Sequence, residues 1–401
     1  MIDQVRLRVS EVLRAAIQQA IHHAEISVDI IPDIVLSPTK NPEHGDIATP
    51  IAMSLSKTAK MPPRQIAGII VNHLANDPLI RQVEIAGPGF INLFISEDCL
   101  YKTLEHIIHQ GEGYGRSQDG ARKRILVEFV SANPTGPLNI VSGRAAAVGD
   151  VLVNLLNVAN YDAIREFYVN DAGKQVERLG ASIDVRYRQL LGGEELKIPE
   201  DGYHGEYLID IARLIVESEG DQYLQLDEAA RIDKFKDIGI QRLLDGQKST
   251  LKRFGVEFDV WTSEQVIRDT KKPEQIIEIF TKKKLLYEAE GAIWFQMTEF
   301  GDDKDCVVIK SDGEFTYFVP DAAYHRDKFD RGFDLLIDIL GPDHQGHIVH
   351  LDHLINALGY SADRFEGLVV QQVNLVHQDG SRVEMSKRKG HLYTLNQLID
   401  E

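Results

Sequence analysis

Residues 124–150 read RILVEFVSANPTGPLNIVSGRAAAVGD, and this stretch predicts the fold of most of the chain. It begins with an apolar run, 125–130 interrupted by Glu128, which is typical of a buried strand. A turn rich in Ser, Asn, Pro and Gly follows, and then a helix. Apolar side chains recur at helical spacing on one face of that helix, at Val148, Val151, Leu152 and Leu155. A strand, a tight loop and a helix N-terminus form a phosphate-binding construction, because free backbone N–H groups and the positive helix end point out of the loop.

Further along the chain, strand-like and helix-like patterns alternate. We expect a strand at 165–169, a helix at about 174–191, and strands at 335–340 and 368–376. This alternation predicts an α/β fold with a doubly wound parallel sheet. Residues from about 192 to 265 are mostly helical in pattern and acidic, so they are interpreted as an insertion within that fold.

The first 115 residues predict a small α+β domain. Helical periodicity covers about 3–24, and further helices are expected around 50–60 and 63–76. The run 28–39 is strand-like, and 83–94 reads as a hairpin around a Gly-Pro-Gly turn. A polar, glycine-bearing segment at 111–122 marks the boundary, which gives domains 1–115 and 116–401.

Composition excludes several classes of protein. The net charge of −18 over 401 residues argues against non-specific nucleic-acid binding across the whole surface, although a local basic track is present at Arg382, Lys387, Arg388 and Lys389. The sequence contains no apolar run of about 18 residues, so no membrane span is predicted. The N-terminus lacks the apolar core of a signal peptide. Cys99 and Cys306 are far apart, so neither a disulfide framework nor a metal site is predicted. A cytoplasmic protein is expected.

Four ordered blocks resemble one known family. The loop SANPTGPL at 131–138 resembles that of bacterial arginyl-tRNA synthetases, which leads into the HIGH motif of class I synthetases. The second class I signature, KMSKS, has a similar block at 384–388, within a signature loop at 382–390. Blocks 167–173 (FYVNDAG) and 341–347 (GPDHQGH) are also similar to this family. The resemblance runs from about residue 1 to the last residue, and four blocks in order are very specific.

The resemblance implies a class I Rossmann-type core that contains the inserted helical segment. It implies an arginine–tRNA ligase that uses ATP and Mg²⁺ as substrate complex and acts on arginine and on tRNA, in particular tRNA-Arg. The N-terminal domain would contact the elbow of the tRNA. The anticodon-binding domain that follows the core in full-length family members is absent from this sequence, no tightly bound cofactor is implied, and a monomer is favoured.

The resemblance also assigns an arginine pocket. Arginine needs a carboxylate for its guanidinium, an acceptor for its amino group and a polar site for its carboxylate. The matching positions are Glu128, Ser131, Asn133, Tyr317, Asp321 and His344. Tyr317 and Asp321 are spaced i, i+4, so a helical turn would place both on one face. We expect Glu128 and Asp321 to bind the cationic side chain.

The nucleotide side departs from the family pattern. Asn139 and Ser142 stand where the family has the two histidines of its signature, Val141 replaces its glycine, and Glu384 replaces the first lysine of the second signature. The catalytic role therefore falls to Asn139, Ser142 and Lys387. The positions that match ATP-binding ones are Pro137, Leu138, Val141, Gly143, Gly341, Asp343, Gly346, His347, Met385, Ser386 and Lys387.

Two hypotheses follow from this uneven pattern. In the first, the chain is a ligase, impaired in adenylate formation, because the histidines that stabilise charge on the transferring phosphorus are missing. In the second, it is a synthetase-like protein that binds arginine or tRNA with little adenylate formation. A third and weaker reading is another nucleotidyl-transferring enzyme on the same fold, because a fold alone does not fix an activity.

Overall fold

A computed structural model describes residues 2–74, 76–193, 195–342, 345–371, 373 and 393–401. The chain forms two compact units, Met1–Gly115 and Arg116–Glu401. The whole second signature loop (382–390), together with Asp343 and His344, lies outside the described residues. None of the described helices is long and apolar enough to cross a membrane.

The first unit combines helices with an antiparallel sheet. Its elements are α1 (Ile2–His22), β1 (Ser37–Pro38), β2 (Ile47–Thr49), α2 (Ile51–Ala59), α3 (Pro63–Asn72), β3 (Ile80–Ala86), β4 (Phe90–Ile95) and α4 (Glu97–Gln110). Within the described part of this unit the strand order is β1-β2-β4-β3. The predicted helices and hairpin are confirmed. The predicted strand at 28–39 is wrong except for Ser37–Pro38, and Ile30 is 81% exposed because no neighbouring strand covers this run.

The second unit carries the predicted parallel sheet. Its elements are β5 (Arg124–Glu128), α5 (Ile140–Val158), β6 (Asp162–Val169), α6 (Lys174–Leu190), α7 (Tyr207–Glu219), α8 (Glu228–Phe254), β7 (Val260–Ser263), α9 (Glu264–Asp269), α10 (Lys272–Lys282), β8 (Leu286–Ala289), β9 (Ala292–Phe295), β10 (Cys306–Ile309), α11 (Phe318–Asp330), β11 (Leu335–Leu340), α12 (Gln345–Leu358), β12 (Phe365–Val369) and α13 (Leu395–Asp400). Over the described ranges, the sheet order is β12-β11-β5-β6-β7, with all neighbours parallel. The last strand was predicted at 368–376, but β12 begins at Phe365 and ends at Val369.

The order of these strands places the site. β5 lies at the centre of the sheet, between β11 and β6, and its Ile125, Leu126 and Val127 are buried on both faces. The carboxyl ends of parallel strands meet at one edge, where α/β proteins bind their ligands. The helical insertion forms its own apolar cluster with α6, in which Leu179, Tyr187 and Phe235 are fully buried.

Helix α5 is confirmed, but three of the four apolar residues that share its predicted face are exposed. Val148, Val151 and Leu155 are 43%, 55% and 61% exposed. The buried residues of this helix are mostly small, including Ala146 and Gly149, and are joined by Val153. A Cβ at Gly149 would lie 2.3 Å from the ring of Phe129, so only glycine permits this close approach of the helix to the end of β5.

Candidate active site

The loop after β5 adopts a strained backbone. Val130 and Ser131 have φ angles of 68° and 37°, in the left-handed region that β-branched side chains rarely adopt. Such a residue costs of order 1–3 kcal/mol and persists where surrounding contacts enforce it. In this conformation the Ser131 hydroxyl donates to Glu128 Oε1 at 2.8 Å and accepts the backbone N–H of Tyr168 at 3.1 Å. These two hydrogen bonds hold the loop against the ends of β5 and β6.

A cavity of about 740 Å³ opens at this edge of the sheet. Four residues predicted for the arginine pocket line it, namely Glu128, Ser131, Asn133 and Asp321. The structure thus brings together, at one edge, side chains that lie nearly two hundred positions apart in the sequence.

Glu128 already has a cationic partner inside the protein. The Nζ atom of Lys328, a residue with no exposed surface, lies 2.6 Å from Glu128 Oε2 and 2.9 Å from Asp338 Oδ1. His325 Nε2 contacts the other oxygen of Asp338 at 2.9 Å. Because Lys328 neutralises much of the Glu128 charge, we no longer expect Glu128 to be a principal ligand of the guanidinium.

Burial and pairing shift the protonation of this network. Burial raises the pKa of the Glu128 carboxyl, and Lys328 opposes that rise. Burial would lower the pKa of Lys328, but the Asp338 and Glu128 carboxylates raise it above its ordinary value. Burial likewise works against the ionised Asp338, yet Lys328 and His325 bring its pKa below the ordinary range. The lysine and Asp338 are therefore both charged at neutral pH.

A second cavity, of about 430 Å³, shares Tyr168, Asn170, Asp321 and His347 with the first. Tyr317 lines it at the start of α11, where the Asp321 N–H donates to the Tyr317 carbonyl at 3.2 Å. The i, i+4 spacing therefore places both residues beside one cavity. Tyr317 itself is 67% exposed, so its ring is accessible to a ligand.

Glu264 also lines this second cavity, and the sequence reading missed it. It is the first residue of α9, directly after β7, and burial raises the pKa of its carboxyl while Arg268 at 2.6 Å opposes the rise. Its position just after a strand of the parallel sheet could have indicated a site residue, because ligands bind at the carboxyl ends of such strands. It was overlooked because the interpretation placed residues up to 265 in the insertion.

On the nucleotide side, the first turn of α5 is capped from within. Asn139 is the N-cap, and its Oδ1 accepts the backbone N–H of Ser142 at 3.0 Å and the Ser142 hydroxyl at 3.2 Å. Helix N-termini bind phosphate through N–H groups that lack a partner within the helix. Here one of those groups is already bonded, and Val141 lines the cavity beside it.

The C-terminal segment packs onto the same loop. Thr394 forms a β-bridge with Asn139, and the Leu395 N–H donates to the Leu138 carbonyl at 2.9 Å. The Leu395 side chain is fully buried, and a Cβ at Gly143 would lie 2.8 Å from its Cδ1. Leu138 and Gly143 thus contribute to packing in this structure.

The other predicted nucleotide residues divide into three groups. Asn139, Val141, Ser142, Gly341 and His347 line the large cavity. Of those the structure describes, Pro137, Leu138, Gly143 and Gly346 do not line it. Asp343, His344, Met385, Ser386 and Lys387 lie outside the described residues, as does Glu384. In the part of the chain that the structure describes, no group of three or more His, Cys, Asp or Glu side chains is arranged to hold a metal ion.

Comparison with known proteins identifies the family. The model for "Arginyl tRNA synthetase N terminal domain" matches residues 11–95, and that for "tRNA synthetases class I (R), catalytic domain" matches residues 103–401. Among curated proteins, the chain is 44% identical to the arginine–tRNA ligase of Shouchella clausii over 396 residues, 98% of this chain and 71% of that protein. It is 43% identical to the arginine–tRNA ligase of Bacillus subtilis, with the same coverage.

Solved structures agree with this result. A putative arginyl-tRNA synthetase from Campylobacter jejuni matches with a TM-score of 0.70 and 32% identity, over 77% of this chain and 66% of that one. Arginyl-tRNA synthetase from Thermus thermophilus matches with a TM-score of 0.65 at 16% identity, over 98% of this chain and 69% of that one, which supports the fold alone. The predicted fold and family are confirmed: the chain belongs to the arginyl-tRNA synthetases, class I ligases that join arginine to tRNA.

Proposed function

We propose that this chain binds arginine at Asp321, Glu264 and Tyr317, and forms arginyl-adenylate slowly because its nucleotide side is weakened. The observation that carries the proposal is the smaller cavity, which is lined by two carboxylates and a tyrosine. Among the described residues, Lys328 contacts Glu128 and Asp338, and Arg268 contacts Glu264. Asp321 instead contacts the imidazole of His347, so among these described carboxylates we infer that Asp321 is the one most available to an external cation.

The larger cavity would hold the reacting end of the amino acid. Glu128, Ser131 and Asn133 supply acceptors for its α-ammonium group, and Lys328 opposes the rise in the pKa of Glu128 that burial causes. An oxygen of the arginine carboxylate then attacks the α-phosphorus of Mg·ATP, and pyrophosphate leaves. A hydroxyl of the terminal tRNA ribose next attacks the arginyl carbonyl, and AMP leaves. The enzyme needs no nucleophile of its own, because positioning and charge stabilisation are sufficient.

The capped helix end favours slow adenylation. The Ser142 hydroxyl can donate to phosphate only by giving up its bond to Asn139 Oδ1. Asn139 can donate only through a neutral amide, so neither side chain becomes a cation. Loss of one preorganised donor typically lowers a rate by about 10²–10³-fold. The same observation supports the second hypothesis, a protein that binds arginine without activating it.

Arginine-dependent exchange of labelled pyrophosphate into ATP, with and without tRNA, separates these possibilities. We expect exchange that depends on arginine and is at least ~10²-fold slower than in an ordinary synthetase. Arginine binding in a calorimeter with no exchange under either condition would instead support the binding protein. No arginine binding at all would refute the proposed pocket.

Restoring the family residues should increase exchange. For the triple substitution Asn139→His, Val141→Gly and Ser142→His, we expect a rate at least ~10²-fold higher, because two imidazole donors that can carry a positive charge return and space for the nucleotide opens. The loss of the Asn139 cap costs about 1 kcal/mol of stability, and glycine at 141 costs a similar amount. The control is the double substitution of Asn139 and Ser142 by alanine, which removes the cap without adding imidazoles. An unchanged rate in the triple variant would instead implicate Glu384.

The N-terminal unit and the cellular location complete the proposal. Residues 11–95 match the N-terminal domain of the family, and we propose that this unit contacts the tRNA elbow. Protection of elbow nucleotides from cleavage when the chain is added to tRNA-Arg would support this contact. Because tRNA charging serves translation, we also propose that the chain acts in the cytoplasm.

A further inference from the structure

His347 lies at the junction of the two cavities, beside the proposed guanidinium acceptor. Its Nε2 atom is 3.3 Å from Asp321 Oδ2, and both side chains are about one-quarter exposed. Its ring centroid is 6.2 Å from that of Tyr317. Sequence resemblance placed His347 on the ATP side, whereas the geometry places it against the residues proposed to bind arginine.

Several ionisable groups face this imidazole. Asp321 and Tyr317 approach from α11, Glu128 from β5 and Asp338 from β11. Glu264 of α9 and Tyr168 of β6 line the smaller cavity with it. Among the described residues, Lys328 and Arg268 contact other carboxylates of this set. The hydrogen bond from Asp321 raises the pKa of His347, burial opposes the rise, and the charges of Asp321, Asp338 and Glu128 add to it.

We propose that His347 is a positioning residue of the arginine pocket, and that its imidazolium form competes with the substrate guanidinium for Asp321. The inference rests on the proposed function, because it assigns Asp321 to arginine. A neutral imidazole donates its Nε2–H to Asp321 Oδ2 and orients that carboxylate, which leaves Oδ1 for the guanidinium. A protonated imidazole also neutralises the carboxylate, so an incoming cation meets a second positive charge.

This competition couples arginine binding to proton release. Below the raised pKa of His347, arginine must displace a proton from the imidazolium, so affinity falls by up to about tenfold per pH unit. Above that pKa the ring is already neutral and the affinity becomes constant. The expected sign is therefore tighter arginine binding as the pH rises from 5.5 to 8, with up to one proton released for each arginine bound.

Titration calorimetry of the full chain with L-arginine tests this coupling. Repeating each titration in buffers of different ionisation enthalpy gives the number of protons released. We expect His347→Gln, which keeps an N–H donor at a similar position but does not titrate, to bind arginine within about threefold of the native affinity at pH 8 and to lose most of the proton release. His347→Phe removes the donor as well and should bind more weakly at every pH.

A matched control is available on the same helix. His350 also contacts a carboxylate, Asp302, at 3.1 Å, but it lines neither of the two cavities, so His350→Gln should retain the native proton release. Thermal denaturation verifies that each variant is folded. Native arginine binding without proton release, or equal release by native and His347→Gln protein, would overturn the role of His347 while the proposed function stands. Absence of arginine binding at every pH would overturn both.

Discussion

The Asp321→Asn substitution is expected to weaken arginine binding by about 100-fold or more. An asparagine has nearly the same shape, but its neutral amide offers one acceptor oxygen in place of a carboxylate that can accept two parallel N–H groups. Loss of a charge-assisted, partly buried pair costs about 3 kcal/mol, which is roughly 100-fold in affinity. Calorimetric titration with arginine at pH 8 measures the change directly.

The control for this substitution is Asp330→Asn. Asp330 lies on the same helix, but its partner is Arg326 at 3.5 Å and its side chain is 58% exposed. The same chemical change there should leave arginine affinity within about twofold of native, since exposed pairs contribute little. If Asp321→Asn bound arginine as tightly as the control, the guanidinium would have to lie elsewhere, and Glu264 would be the next residue to test.

The Lys328→Met substitution is expected to reduce the free energy of unfolding by about 3–5 kcal/mol, because it leaves two buried carboxylates without their cation. Methionine preserves most of the side-chain length, so the cause is electrostatic. The loss of stability caused by this substitution also depends on pH. With the lysine absent, Glu128 folds in its protonated form, which costs more as the pH rises above the unfolded pKa of a glutamate. The destabilisation should therefore be larger at pH 8 than at pH 5.

Thermal denaturation of three variants measures this effect. For a unit of this size, ~3 kcal/mol corresponds to a decrease of roughly 5 °C in melting temperature. The double substitution Glu128→Gln and Lys328→Met should recover part of the loss, since one buried charge is removed. Lys282→Met serves as control, because Lys282 is 78% exposed and pairs weakly with Glu278 at 3.9 Å. A decrease no larger than that of the control would mean that Lys328 contributes little to the charge balance of the site.

The sheet was predictable because its signal is local. The run 335–340 is apolar except for Asp338, and it forms β11 with the predicted bounds. The face of α5 that contacts the sheet was not predictable from large apolar residues, because close approach to Phe129 requires small ones such as Gly149. The run 28–39 has the composition of a strand, but a strand also needs a partner, and composition carries no information about one.

The site was only partly predictable for a related reason. Glu128 and Asp321 follow recognisable motifs, and both line the cavity. Lys328 carries no such signal, since a lysine near the end of a helix is usually exposed. Its burial depends on α11 packing across the sheet so that it reaches Glu128, 200 positions away in sequence. Long-range pairing of this kind decides which carboxylate remains available to a ligand.

The contacts around Asn139 have an evolutionary consequence. Its side chain is bonded to Ser142, its backbone is bridged to Thr394, and Leu395 occupies the space beside Gly143. The effect of a mutation at any one of these positions therefore depends on the residues at the others, and the effects of combined mutations on stability will not be additive. Lineages that keep asparagine at 139 are expected to keep a short hydroxyl residue at 142, and exchange of that pair for histidines should be accompanied by compensating changes near 394.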